Sequence, residues 1–202
     1  FSPQLKLSTC ELDEDEPSFQ PSEALISFLE QGEPPVYIGF GSMTAKDPAR
    51  MARIVLDAVL RTGRRAVIAT GWGGISALPA SDQVFVLDQA PHDWLFPRMS
   101  VIVHHGGAGT TAEALRAGKP NVIVPFIVDQ QFWGRRVQAL GAGPAPIPAR
   151  KLTAERLAAA IERAATDPAM RESAECIRNA ILKEHGLDQA VTFIQEYWGT
   201  SR

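Results

Sequence analysis

The sequence predicts an α/β fold: a parallel β-sheet covered by helices on both faces. Two observations carry this. Strand-like and helix-like segments alternate at least five times along the chain. The strand-like segments are continuous apolar runs, as expected of strands buried on both faces, and not apolar–polar alternations. A third observation concerns the ends of those runs. Glycines and polar residues collect just past them: Gly41-Ser42, Gly71 to Gly74, Gln89, His104 to Thr111 and Asp129-Gln130. In such sheets ligands bind at the carboxyl ends of the strands, near the reversal in strand order.

The elements follow in order. Residues 1–21 are rich in Pro, Ser and acids and read as a linker, and "CELDEDEP" is the dense acidic run within them. Residues 22–202 read as the folded domain. "SEALISFLEQG" (22–32) has a Ser cap, apolar spacing near 3.6 and a closing Gly, the marks of a short helix. Val36 to Phe40 is an apolar run bounded by Pro and Gly, a buried strand. Asp47-Pro48 opens a helix that stops at Gly63. "RAVIAT" and "VFVLD" are strands separated by the loop "GWGGISALPASD", and "HDWLFPRM" is a short helix or turn. "SVIVHH" is a strand, "TTAEALRAG" a helix, "NVIVPF" a strand and "DQQFWGRRVQALG" a helix. "GPAPIP" reads as an edge strand or an extended segment, because proline disfavours a central position. From Thr153 onward the pattern is helical.

Composition narrows the function. The 202 residues, 45 % hydrophobic, suffice for one well-buried core. Twenty basic against 23 acidic residues give a net charge of -3 with no basic patch, which disfavours nucleic acid as a partner. Cys10 and Cys176 lie far apart without metal-ligand spacing, so neither a disulfide framework nor a metal site is expected, and a cytoplasmic setting fits. No run approaches the ~20 apolar residues of a membrane span. The opening "FSPQLKLSTC" lacks Met and a signal-peptide pattern, and reads like the middle of a longer protein.

The chemistry is concentrated in "HHGGAGTT" (104–111). Glycines between a strand and a helix let backbone N–H groups approach a ligand closely. The helix start adds unpaired N–H groups and the positive end of a dipole, which together form an anion site. Thr110 and Thr111 can cap the helix or donate to a phosphate oxygen, and His105 adds a ring N–H. Adjacent strand residues face opposite ways, so one histidine faces the site. His105, beside the turn, is expected there, and His104 is expected to be packed. A tight turn with a satisfied histidine is the bland alternative, and the combination favours a phosphate or diphosphate.

Two further segments add to this. "GFGSM" (39–43) begins like a dinucleotide fingerprint, but Met43-Thr44 breaks it and no acid ends the next strand, so a nicotinamide cofactor is disfavoured. It is neither a P-loop nor a G-x-S-x-G elbow. Ser42 remains as a donor to the same phosphates or as a residue closing a turn. In "PFIVDQQ", Asp129 is either an N-cap or, with Gln130, a carboxylate–amide pair suited to vicinal sugar hydroxyls.

"GFGSM", "APHDWLFPRMSVIVHHGGAGTTAEALRAGKPNVIVPFIVDQQFWGRRV" and the helical tail resemble the C-terminal half of GT-B nucleotide-sugar glycosyltransferases, nearest the sterol 3-beta-glucosyltransferase branch, with macrolide and glycopeptide antibiotic glycosyltransferases as relatives. The resemblance runs from about Pro34 to the end. It implies a Rossmann-like donor domain of an inverting enzyme that moves glucose from UDP-glucose to a sterol or other hydrophobic hydroxyl. It assigns the diphosphate to His105, Gly107, Ala108, Gly109, Thr110 and Ser42, and the glucose hydroxyls to Asp129 and Gln130. It assigns uracil to backbone groups near Ala90. Many plant relatives stack uracil on a Trp where this chain has Gln89, which makes Trp72 or Trp94 the substitutes. No cofactor and no tightly bound metal are implied, and no catalytic residue in this chain. The general base and the acceptor pocket are implied in an N-terminal domain not contained in the sequence. The last helix resembles a tail that packs on that domain, so Phe193 and Trp198 are expected to be exposed or repacked. The face left open is also a candidate for dimerisation, and peripheral membrane contact is compatible with a lipid-like acceptor. The alternatives are a non-catalytic nucleotide-sugar or phosphate-binding module, a glycosyltransferase for a macrolide-like acceptor, and a GT-B epimerase, which would need further acids not seen here.

Overall fold

In the computed structural model of the chain, residues 19–41, 43, 47–70, 81–184 and 186–199 are described. Five parallel strands form one sheet: β1 (Val36–Gly39), β2 (Ala66–Ala69), β3 (Val84–Leu87), β4 (Val101–His104) and β5 (Asn121–Ile123), in the order β3-β2-β1-β4-β5. The chain therefore reverses its direction of travel between β1 and β4, where Gly39 lies opposite His104. That reversal parts the connecting loops and opens a crevice at the carboxyl ends of the two strands.

Helices cover both faces, as the sequence predicts. Alternation along each strand explains how. Val36 and Ile38 of β1 and the following Phe40, with Val101 and Val103 of β4, pack with Met51, Val55 and Val59 of α2 (Pro48–Thr62) and Leu157 and Ile161 of α6 (Ala154–Thr166). Tyr37, Val67 and Ile102 point the other way, onto Phe28 of α1 (Glu23–Glu30), Leu95 of α3 (His92–Leu95), the 3-10 turn Phe96–Arg98 and Ala114 of α4 (Ala108–Arg116). A third cluster joins Leu115 and Ile123 to Val137 of α5 (Val128–Ala139) and Ala174 of α7 (Pro168–Ile181).

The predicted boundaries are set by the expected caps. The Ser22 hydroxyl accepts from the Leu25 amide at 3.2 Å, and the Asp47 carboxylate accepts from the Arg50 amide at 2.8 Å. The segment 143–148 forms no strand. It runs extended along β5, where the Ile147 amide donates to Ile123 O and the Ala149 amide to Pro125 O, both at 3.0 Å. Its prolines cannot donate, which is why pairing stays this sparse. The last helix, α8 (Gly186–Gly199), keeps Phe193 and Trp198 exposed, at 68 % and 72 %. No described helix is long and apolar enough to cross a membrane. The linker expected over residues 1–21 lies largely outside the described residues.

Candidate functional site

The β4–α4 turn divides the two histidines as their alternation requires. His104 is fully buried. Its Nε2 lies 2.8 Å from Asn121 Oδ1, and its Nδ1 accepts from the Gly106 amide at 3.1 Å. Because Nδ1 accepts, the network assigns the proton to Nε2, which donates to Asn121. Asn121 is itself held, donating through Nδ2 to Lys119 O at 2.8 Å. His104 is thus a neutral brace that fixes the first glycine of the turn.

Burial pushes the His104 pKa down to about 4; the Asn121 bond opposes this, and the His105 and His92 charges add to it. The unfolded chain takes up this proton near pH 6.5 and the folded chain does not, so the neutral brace contributes fully above pH 6.5 and its contribution is lost as pH falls toward 4. We expect unfolding free energy to drop by something on the order of 3 kcal/mol across that window. His104→Gln, which cannot titrate, should flatten the drop; an unchanged pH profile in that variant would contradict the assignment.

His105 faces the other way and is half-buried. Its ring sits between two glycine turns. A Cβ on Gly41 would come within 3.3 Å of its Cε1, and one on Gly107 within 2.5 Å of its Nε2. Its Nδ1 is buried and has no hydrogen-bond partner among the described residues. Burial lowers the His105 pKa, the Asp129 carboxylate opposes this and His92 adds to it.

Beside the ring, α4 begins with Gly107 at the N-cap and no side-chain cap. Thr111 turns inward, its hydroxyl donating to Gly107 O at 2.8 Å, whereas Thr110 is half-buried. The first-turn amides of Ala108, Gly109 and Thr110 therefore have no intrahelical partner. A Cβ on Gly109 would meet no atom of the described residues within 4 Å. Packing does not require a glycine there.

Asp129 is exposed in the first turn of α5, close enough for its charge to act on His105. Gln130 is held from within the turn. Its side chain is only 3 % exposed. Its Oε1 accepts from the amides of Phe126 (2.8 Å) and Ile127 (3.2 Å), and its Nε2 lies 3.2 Å from Met43 Sδ. Here it caps the β5–α5 turn from within and offers at most one N–H outward. The reason is local: two loop amides at the start of α5 need an acceptor, and an uncharged amide is cheaper to bury than a carboxylate.

A cavity of about 520 Å³ opens beside Gly41 at the ends of β1, β2 and β3. Gln89 and Ala90 line it, together with Tyr37, Thr70, Asp88 and His92. Among the lining residues, the Thr70 hydroxyl donates to Asp88 Oδ1 at 2.9 Å. His92 stacks on Phe96 at 4.2 Å, and burial lowers its pKa against the pull of Glu113. Trp94 is not in the lining; it packs against Phe19 and under Arg98. Ser42 and Trp72 lie outside the described residues. Tyr37, Thr70, Asp88, His92 and Glu113 were not anticipated. Tyr37 was foreseeable, since period-two alternation puts it on the same face of β1 as Gly39. Among the described residues no three His, Cys, Asp or Glu side chains converge as metal ligands.

Comparison with known proteins identifies the family. The erythromycin biosynthesis protein CIII-like C-terminal domain family matches residues 53–191. The chain is 46 % identical over 175 residues to sterol 3-beta-glucosyltransferase UGT80A2 of Arabidopsis thaliana, covering 86 % of this chain and 27 % of that protein. It is 38 % identical over 188 residues to O-mycaminosyltylonolide 6-deoxyallosyltransferase of Streptomyces fradiae, covering 93 % of this chain and 44 % of that protein. The chain thus spans less than half the length of these relatives. Among solved structures, the calicheamicin glycosyltransferase CalG4 superposes with a TM-score of 0.69 at 24 % identity, covering 91 % of this chain and 46 % of the other. UDP-glucose: anthocyanidin 3-O-glucosyltransferase in complex with UDP gives 0.71 at 19 % identity, covering 84 % and 41 %. These two likenesses concern the fold.

Proposed function

The chain belongs to the erythromycin biosynthesis protein CIII-like C-terminal domain family of GT-B glycosyltransferases, and on that premise we propose that it is the donor-binding domain of an inverting glucosyltransferase that takes UDP-glucose and a sterol or other hydrophobic hydroxyl. One observation carries this reading above the others. His105, whose buried Nδ1 has no partner among the described residues, is wedged between Gly41 and Gly107 beside the uncapped start of α4. An orphaned polar atom next to free amides calls for a polar ligand, and the helix dipole selects an anion.

In this reading the diphosphate lies on the amides of Ala108, Gly109 and Thr110, with His105 on one side and Ser42 on the other. The open space at Gly109 is then explained by the ligand, which a side chain would obstruct. The nucleoside end occupies the cavity at Gln89 and Ala90, and the glucose lies toward Asp129. As the bond to the sugar breaks, negative charge gathers on the departing UDP. Fixed N–H groups and the helix dipole meet that charge without reorganising, which lowers the barrier. Burial keeps the free His105 mostly neutral at pH 7; a diphosphate alongside would favour its protonated form. The general base and the acceptor pocket are assigned outside these 202 residues. No cofactor is needed for this chemistry, and the neutralising role assigned to the amides makes a tightly bound metal unnecessary. The sterol acceptor rests on the names of the relatives at 44 % and 46 % identity. The macrolide derivative in the name of the Streptomyces fradiae relative supports a second reading with a natural-product acceptor.

The sugar assignment has its own test. Asp129→Ala should weaken UDP-glucose binding about tenfold or more, because hydrogen bonds to a charged group are lost, and should leave UDP binding intact. Parallel calorimetric titrations decide this: equal weakening of both ligands would place Asp129 on the phosphates or in the fold, not on the sugar.

A further inference from the structure

We propose that the recess between the C-terminal end of α4 and α7 is a second anion site, built for a phosphate-sized dianion that is either free or the headgroup of a lipid. The recess has a volume of about 380 Å³ and is lined by Arg116, Gly118, Lys119, Glu175, Arg178 and Asn179. Three cations face one carboxylate, and Asn179 adds an amide suited to an anion's remaining oxygens.

Among the described residues these charges are only partly engaged. Neither the Lys119 ammonium nor the Arg178 guanidinium has a hydrogen bond or ion pair among the described residues, and Arg116 has only Glu113, at 3.5 Å. Cations at a helix C-terminus ordinarily complement the dipole. Here the terminal carbonyls are already occupied by the chain itself: Ala117 N donates to Glu113 O, Gly118 N to Leu115 O and Lys119 N to Ala114 O. Gly118 closes the turn at φ +69°, and a Cβ there would strike Arg178 Cδ at 2.8 Å. The glycine thus lets the Arg178 stem lie flat on the turn and bring its guanidinium to the recess. Burial holds the Lys119 pKa below the ordinary lysine value; Glu175 opposes this, and Arg178 and Arg171 add to it. Lys119 is half-buried while Arg116 and Arg178 are exposed, and three cations against the single Glu175 carboxylate leave net positive charge in the recess, which a bound anion would offset. The site is separate from the diphosphate turn. It lies at the other end of α4, roughly 13 Å away at 1.5 Å per residue over its nine residues, and it stands or falls independently of the glucosyltransferase reading.

The test is a titration of the 202-residue chain with inorganic phosphate at constant ionic strength, followed by amide NMR. The Gly118, Lys119 and Asn179 amides report this recess, and those of Gly107 to Gly109 report the opposite end of the helix. We expect saturable shifts at the first group, and at least about a tenfold loss of phosphate affinity there in the Lys119→Gln/Arg178→Gln double variant, with the response at Gly107 to Gly109 unchanged. Shifts of equal size with chloride, or an undiminished phosphate response in the double variant, would overturn the proposal. Co-sedimentation with phosphatidylcholine vesicles, with and without phosphatidic acid, separates the two sources. Binding only to the acidic vesicles, lost in the double variant, assigns the headgroup; saturable phosphate binding with no sedimentation assigns the free anion.

Discussion

Gly106→Ala should cost roughly 2–6 kcal/mol of folding stability. Two terms add. Gly106 has φ +92°, where a side chain brings backbone strain of about 1–3 kcal/mol. The new Cβ would also lie 2.7 Å from Ile123 Cγ2 and 3.0 Å from the carbonyl oxygen of Gln130, and overpacking of this kind typically costs about 1–3 kcal/mol. The carbonyl belongs to the first turn of α5 and cannot swing aside, so the strain must pass into α5 or back to the His104–Gly106 hydrogen bond. Denaturant unfolding at constant slope measures the loss. A loss below about 1 kcal/mol would mean that the turn adapts and that the close approach of β4, β5 and α5 is not what demands this glycine.

The neighbouring glycine should behave in the opposite way. Gly107 sits at φ -61° and ψ 145°, a conformation open to any residue, so Gly107→Ala carries no backbone strain. Its Cβ would instead lie 2.5 Å from His105 Nε2, and the ring must move away from its place beside the α4 amides. We expect UDP affinity to fall about tenfold or more, comparable to deleting the ring, with stability within about 1 kcal/mol of the parent. Undiminished UDP binding in this variant would show that the ring position does not matter to the ligand. The pair separates the two uses of glycine in one turn: the first lets the chain fold and the second leaves room for the His105 ring beside the α4 amides.

Much of the fold is legible in the sequence because it depends on local rules. Continuous apolar runs mark Val36–Gly39 and Val101–His104 as strands buried on both faces. Asp47, Pro48 and Gly63 bracket α2 by cap chemistry alone. Strand alternation separates His104 from His105. What escaped depends on how distant segments meet. The cavity beside Gly41 exists because β3 and β2 follow β1 in the sheet, which brings Thr70 and Asp88 within hydrogen-bond distance. No local pattern links those two residues. The contacts of Gln130 depend on tertiary context in a related way. An amide side chain at the start of a helix can face outward to a sugar or inward to loop amides, and the curvature from Phe126 to Ile127 decides between them. The extended segment along β5 was legible only as an alternative, since sparse hydrogen bonding and true pairing share one composition.

The most direct measurement is calorimetric titration of the chain with UDP, repeated on His105→Ala. If the β4–α4 turn holds the diphosphate, UDP binds saturably and the variant binds at least about tenfold more weakly, while its unfolding midpoint stays near that of the parent. UDP binding of equal strength in both proteins would contradict a diphosphate site at His105.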